Sequence, residues 1–493
     1  MKYDIIVVGG GPGGLVAAKT AAELGLSVLV IERGKTPGEK NVSGTALSPK
    51  CFRDFDFMKI MKLPNMRIAT MATLHLSDEN NVEKMNLAFT PSDRAGLPEA
   101  REFLTVNVYR SELDPWLAEL AIAAGAKLTT SVKVVDLARD EKGKITGVRT
   151  ERGEVIMGDI VIGADGVIST VARTAGLRDK WDPGEIAMII NVDFGAARED
   201  IDSVVGCNAL HYWYSAIFPV GYSFFSAKGF HIGLGSYINW WPKNPHFYLQ
   251  KLFELEGVQR QIKLCRGEAR EFQNHMVTFL TDPKNTYGDS VMLIGDAAGF
   301  ACPYEAEGVY YAMYSGRLAA QVAKNALERG DVSARSLAEY ERKWRDSPIG
   351  EEFVPGESID GFVRELGFNP EAARWIVPMF NDALYGLLNV ADSHTNNTRN
   401  YAEFLAPYLP ELVETLKTHL TPLSMRLQLP PAVPLSPLFS GVLRKVLPLI
   451  LSALARKSAR SDNRYSQVLM PLIMEHFLTP YAAEKAKNRQ GGK

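Results

Sequence analysis

The chain opens on an uninterrupted apolar run, Ile5-Ile6-Val7-Val8. A β-branched run with no polar break predicts a strand buried on both faces. Leu15 to Leu24 is Ala-rich and predicts a helix, and Ser27 to Ile31 predicts the next short strand. Gly34 to Pro49 is rich in Gly, Lys and Pro and reads as a loop. Thr70 to Leu76 and Lys84 to Phe89 alternate apolar with polar, which predicts antiparallel strands. Arg110 to Ala124 predicts a helix, Ser131 to Val155 a small meander turning at Glu141-Lys142-Gly143-Lys144, and Asp159 to Ile162 another buried strand. From Ile186 to Tyr237 aromatic and β-branched residues dominate, with turns near Gly195, Gly221 and Gly229, which predicts an antiparallel sheet in a second domain. Val291 to Gly330 returns to strand, loop and helix, and beyond residue 331 the pattern is mostly helical with frequent prolines.

Composition narrows the function classes. The 493 residues, 46% hydrophobic, suffice for one large or two to three smaller domains. A formal net charge of −2 gives no basic excess, so no nucleic-acid partner is expected. Four widely spaced cysteines form no CxxC pair, and the histidines show no i, i+4 pairing. No metal site, iron–sulfur cluster or disulfide framework is therefore expected. No signal-peptide pattern precedes the first strand and no apolar run reaches the ~18 residues of a membrane span. The expectation is a cytoplasmic protein.

The strongest local signal is Gly9-Gly10-Gly11-Pro12-Gly13-Gly14. Gly9, Gly11 and Gly14 make GxGxxG between a buried strand and a helix, the pattern that brings a pyrophosphate to a helix N-terminus. Glu32 ends the following strand, where a carboxylate accepts from an adenosine ribose. Two later strand ends carry Asp165-Gly166 and Gly295-Asp296. A nicotinamide dinucleotide needs neither, whereas a longer cofactor with a ribityl chain needs acceptors far from its adenine end. The helix beginning near Gly308 would aim its partial positive charge at an electron-poor ring.

These motifs match the FAD enzymes of the p-hydroxybenzoate hydroxylase fold. Within them, "GDAAGFACPYEAEGVYYAMYSGRLAA" (295–320), "YRSELDPWL" (109–117), "ADGVISTVAR" (164–173) and "YSAIFPVG" (214–221) most resemble the geranylgeranyl reductase family. The resemblance covers about residues 1–350. It implies an α/β fold with α+β elements: a Rossmann-like FAD-binding domain (1–180 and 275–350) interleaved with an antiparallel-sheet substrate domain (181–274, with a small part inserted near 60–105). A helical C-terminal region, 351–493, would follow. The implied cofactor positions are Gly9, Gly11, Pro12, Gly13, Gly14, Glu32, Arg33, Ser43, Gly44, Arg110, Asp165, Gly295, Asp296 and Gly308. Ser43 stands where archaeal members often carry a Cys, and Ala216 where the family commonly has a Trp. "KNVSGTALSP" (40–49) is more similar to the electron-transfer-flavoprotein:quinone oxidoreductases.

The implied reaction is saturation of prenyl C=C bonds, with electron transfer to a quinone as the alternative. A flavin monooxygenase or halogenase is third, because no Trp-x-Trp-x-Ile-Pro motif is present. No second GxGxxG follows a strand. Electrons then come from transiently bound NAD(P)H or from a redox protein such as ferredoxin or electron-transfer flavoprotein. The aromatics Tyr212-Trp213-Tyr214, Phe218, Phe224-Phe225 and Phe230 read either as ordinary core or as an apolar tunnel for a prenyl chain or quinone tail. Trp240-Trp241 read as a tunnel mouth or as edge packing. Tyr214 is the candidate proton donor or a substrate-orienting residue; Phe218 and Pro219 are the candidate substrate contacts. Glu305 and Glu307 read as flavin neighbours or helix caps, His231 as a core or rim histidine, and Cys51 and Cys302 as inert. Residues 436–460 contain no acid and set five basic residues around a Leu-rich segment. That suits a helix lying in an anionic membrane surface, peripheral at the inner face, or else a buried helix.

Overall fold

The computed structural model describes residues 2–39, 44–77, 80–89, 103–215, 217–218, 220–240, 243–280, 282–302, 307–350 and 353. The expectations for Ser43, Ala216, Pro219, Trp241, Glu305 and the region 354–493 lie outside them.

An eight-stranded sheet carries the order Tyr287–Gly288, Val291–Leu293, Val155–Gly163, Lys2–Val8, Val28–Ile31, Lys127–Thr129, with Ile145–Thr150 and Val134–Arg139 branching off as an antiparallel meander. Lys2–Val8 is parallel to both of its neighbours. Its apolar run is fully buried, as a two-sided strand requires. Helices Pro12–Glu23 and Val309–Glu328 cross at glycines. A Cβ on Gly13 would stand 2.8 Å from the Ala312 carbonyl oxygen, and one on Gly316 would overlap the Gly13 carbonyl oxygen. Gly316→Ala is expected to cost about 2 kcal/mol by forcing this crossing apart, measurable by thermal unfolding.

The second, seven-stranded sheet runs Glu268–Thr278, Ile186–Gly195, Gly229–Tyr237, Gly221–Phe225, Asn208–Ser215, Met71–Ser77, Glu83–Phe89. It is antiparallel except where Met71–Ser77 pairs parallel with Asn208–Ser215. The hairpin Met71–Ser77/Glu83–Phe89 comes from the early insertion and docks on an edge strand made much later. Strand alternation divides the aromatics. Trp213, Phe225 and Phe230 share a core with Phe218 and with helices Pro245–Phe253 and Glu256–Leu264. Tyr212, Tyr214, Tyr222 and Phe224 stand half-buried on the opposite face. His231, Asn191 and His275 share that face by register.

A three-stranded sheet, Gly44–Leu47, Thr105–Tyr109 and Arg67–Ala69, was not legible beforehand. It corrects the expectation of a continuous loop from Gly34 to Pro49. The chain forms a strand at Gly44–Leu47 and then a helix at Pro49–Asp54, capped by Ser48.

Candidate functional site

The parallel strands end on one edge, and the glycines there have distinct tasks. Gly9 has φ +110°, and a Cβ on it would overlap the Ala164 carbonyl oxygen; one on Gly14 would overlap the Gly9 carbonyl oxygen. Gly11 is different. It caps the helix Pro12–Glu23, and a Cβ there would meet only Arg110 Nη2, at 3.6 Å. Space therefore opens in front of Gly11 and of a helix N-terminus, with Pro12 at the first helical position where no amide is needed.

Glu32 ties this turn to the next. Its Oε2 accepts from the Gly10 amide at 2.7 Å and its Oε1 from the Gly34 amide at 2.6 Å. Each oxygen keeps a further lone pair. Arg33 is exposed. Arg110 lies against Gly11 and is held by a two-pronged bond to buried Asp114, both arms 2.7 Å.

Asp296 follows Gly295, which has φ +54° and donates its amide to Ser315 Oγ at 3.1 Å. Gly308 caps the twenty-residue helix Val309–Glu328, and a Cβ on it would be 3.7 Å from Asp296 Oδ1. Among the described residues no donor reaches the Asp296 carboxylate. Burial raises its pKa to about 6, against the opposing pull of Arg110. Arg178 braces the next residue, donating to the Ala297 carbonyl at 2.6 Å while its guanidinium lies 3.6 Å from the Trp181 ring centre.

Other expected residues have local tasks. Asp165 accepts from Ser169 Oγ at 2.5 Å and from the Thr170 and Val171 amides at 2.7 and 3.1 Å, so its carboxylate caps the helix Thr170–Thr174. Glu307 Oε1 accepts from the Tyr310 amide at 2.9 Å, the helix-capping alternative. Cys51 and Cys302 are fully buried, and burial pushes the Cys51 thiol well up. Phe218 packs in the helix-side core, not beside Tyr214. Burial raises the pKa of the Tyr214 hydroxyl.

Sequence reasoning missed Arg178 and His275. His275 keeps an exposed surface on its strand, and the desolvation of its ring, with the charges of Arg110 and Arg33, lowers its pKa below the usual imidazole range. Its one signal is parity: it sits two residues from Gln273 on an alternating strand, on the face that Tyr214 shares. Among the described residues no group of three or more metal-ligating side chains occurs, and no helix is long and apolar enough to cross a membrane.

The comparisons with known proteins fall on this same architecture. The family model described as FAD binding domain matches residues 2–348. A digeranylgeranylglycerophospholipid reductase of Methanothrix thermoacetophila is 32% identical over 387 residues, 74% of this chain and 88% of that protein. The probable electron transfer flavoprotein-quinone oxidoreductase YdiS of Escherichia coli K12 is 29% identical over 398 residues, 77% of this chain and 90% of that protein. A solved geranylgeranyl bacteriochlorophyll reductase-like protein of Thermoplasma acidophilum superposes with a TM-score of 0.62 at 23% identity, covering 85% of this chain and 99% of its own. At that identity the likeness speaks to fold, which is the p-hydroxybenzoate hydroxylase type expected from the motifs. The chain therefore belongs to the FAD binding domain family and is an FAD-dependent oxidoreductase with geranylgeranyl-reductase-like relatives.

Proposed function

We propose that the chain reduces C=C bonds of an isoprenoid lipid, and that its FAD lies between Gly11, Arg110, Asp296 and Gly308. Two features support this placement. Asp296 has no donor among the described residues, and ribityl hydroxyls are donors. Gly11 faces open space between a helix N-terminus and a guanidinium, which suits a pyrophosphate. Glu32 keeps lone pairs for a ribose. Asp165 has a reduced part in this assignment, because its oxygens already cap a helix.

The substrate assignment is carried by one observation: Tyr212, Tyr214, Tyr222 and Phe224 line the sheet face opposite the helix-packed core. Half-buried rings make a surface for a long apolar chain. The names of the archaeal relatives support the same substrate class. FAD held there by Gly11, Arg110 and Asp296 would, when reduced, supply a hydride equivalent for one carbon of the double bond. The Tyr214 hydroxyl would give the proton to the other carbon and take one back from solvent, so that it is restored for the next turnover. Phe218 acts indirectly, through the packing beneath the sheet. The electron donor is NAD(P)H or a redox protein, and residues 436–460 bring the chain to an anionic membrane surface.

The test is anaerobic stopped-flow. Enzyme-bound reduced flavin is mixed with a digeranylgeranyl lipid, a menaquinone analogue, or oxygen with an aromatic substrate. The proposal expects fast reoxidation by the lipid, with a product two hydrogens heavier per double bond. Reoxidation by the quinone alone, with lipid mass unchanged, supports the reaction named for YdiS instead. Tyr214→Phe is expected to slow lipid-driven reoxidation about 100-fold, the usual worth of a positioned acid, with FAD content unchanged.

A further inference from the structure

Asp296 and Asp165 follow neighbouring parallel strands, Val291–Leu293 and Val155–Gly163, but their carboxylates are held differently. Asp165 is fixed by its own bonds to Ser169, Thr170 and Val171. Among the described residues no donor reaches the Asp296 carboxylate, so its place is set by its backbone. That backbone is the short turn Gly295–Ala297. The Gly295 carbonyl accepts from the Ala298 and Phe300 amides at 3.0 and 2.9 Å, and the Asp296 carbonyl from the Gly299 amide at 3.1 Å. The Ala297 carbonyl is taken by a side chain instead: Arg178 Nη1 donates to it at 2.6 Å.

Arg178 reaches beyond this turn. Its guanidinium lies 3.6 Å from the ring centre of Trp181, and Trp181 Nε1 donates at 2.7 Å to the carbonyl of Val167, just past Asp165-Gly166. The same ring flanks the far end of the Asp296 turn: Gly299 has φ +91°, and a Cβ there would stand 3.3 Å from Trp181 Cη2. One stacked pair thus touches both strand-end turns. We propose that Arg178, stacked on Trp181, is a positioning residue for the cofactor: it ties the turn of Asp296 to the turn of Asp165 and so holds the Asp296 carboxylate where the ribityl chain meets it. The inference rests on the FAD placement proposed above.

The energetics favour a task in the site over a task in the fold. The guanidinium is half-buried, and among the described residues no carboxylate comes within ion-pairing distance of it. Glu185 acts on it from further off, while Glu185 Oε2 accepts from the Asp182 amide at 3.0 Å. Burial lowers the Arg178 pKa to about 10, so the cation persists at neutral pH at a cost to the fold. A neutral side chain of similar length would pack there as well or better. What it could not do is grip a carbonyl, which a charged donor holds more firmly than a neutral one. The stack on Trp181 then fixes the plane in which the guanidinium points.

Fluorescence titration of the full chain with FAD, at a temperature where every form is folded, tests it as a double-mutant cycle with Asp296→Ala. Arg178→Met is expected to weaken FAD binding about 10-fold when Asp296 is present and by less than about 2-fold in Asp296→Ala, because it acts through that carboxylate. Arg178→Lys, which keeps a charged donor for the Ala297 carbonyl, is expected to recover most of the loss. Trp181→Phe keeps a ring beneath the guanidinium and drops the bond to Val167; it is expected to cost about 3-fold, again only with Asp296 present. This milder variant decides the matter should Arg178→Met fail to fold. Wild-type affinity in Arg178→Met and Trp181→Phe, or equal losses with and without Asp296, would overturn the proposal and leave Arg178 a purely structural residue. Asp296→Ala binding FAD as tightly as wild type would instead overturn the FAD placement, and this inference with it.

Discussion

Gly11→Ala is expected to fold at the wild-type temperature and to bind FAD about 100-fold more weakly, a loss of ~2.7 kcal/mol. The protein itself has room for the methyl group, since only the end of the Arg110 side chain comes near, at 3.6 Å. What the methyl group displaces is the approach of a phosphate to the amides at the start of helix Pro12–Glu23. Gly14→Ala should behave oppositely. Its Cβ would overlap the Gly9 carbonyl oxygen and lie 3.1 Å from both Ala164 Cβ and Val7 Cγ1, all inside the core. Backbone has nowhere to yield there, so about 3 kcal/mol of stability is lost before any ligand is considered. Thermal unfolding of the FAD-free forms and fluorescence titration with FAD separate the two effects. Equal affinity in Gly11→Ala and wild type would remove the pyrophosphate from this place.

Asp296→Asn should show two effects of opposite sign. Burial holds the Asp296 carboxyl near 6 in the folded protein, above the ordinary 3.8. The fold therefore prefers the neutral acid. Its contribution to stability is fully present below pH 3.8 and is lost as pH rises through 6. FAD-free wild type thus carries about 1–3 kcal/mol of penalty from this group at pH 8, with solvent in the cleft reducing the upper figure. The asparagine has no charge to bury. FAD-free Asp296→Asn is expected to unfold at a higher temperature than wild type at pH 8 and at the same temperature at pH 4. FAD binding should move the other way. Losing charged hydrogen bonds to ribityl hydroxyls costs about 2 kcal/mol, roughly 30-fold in affinity at pH 8. A variant that is less stable without FAD at pH 8 would contradict the environment described for Asp296.

What the sequence disclosed follows from how local each signal is. Gly9 to Gly14 and Gly295-Asp296 are read within one strand-turn-helix unit, and the structure places both at the same sheet edge. The split of the aromatics was also available, because a period of two puts Trp213 and Tyr214 on opposite faces of any strand. The strand's solvent and core sides could not be told apart without helices Pro245–Phe253 and Glu256–Leu264, whose docking chose Trp213 for the core. Gly44–Leu47 was hidden for a different reason. Its partner, Thr105–Tyr109, lies far along the chain, and four residues among glycines and lysines carry no period of their own. Asp165 looked like Asp296 because both end buried strands near glycine. The difference lies in the following residues: Ser169 and the amides of Thr170 and Val171 fold back onto one carboxylate, while among the described residues no donor returns to the other.

The most direct test of the whole account is a crystal structure of the FAD complex. It should place the pyrophosphate at the Gly11 amide beside Arg110, the ribityl hydroxyls on Asp296, and the flavin ring against the sheet face bearing Tyr214. A ring lying on the helix-packed side with Trp213, or phosphates away from Gly11, would contradict it.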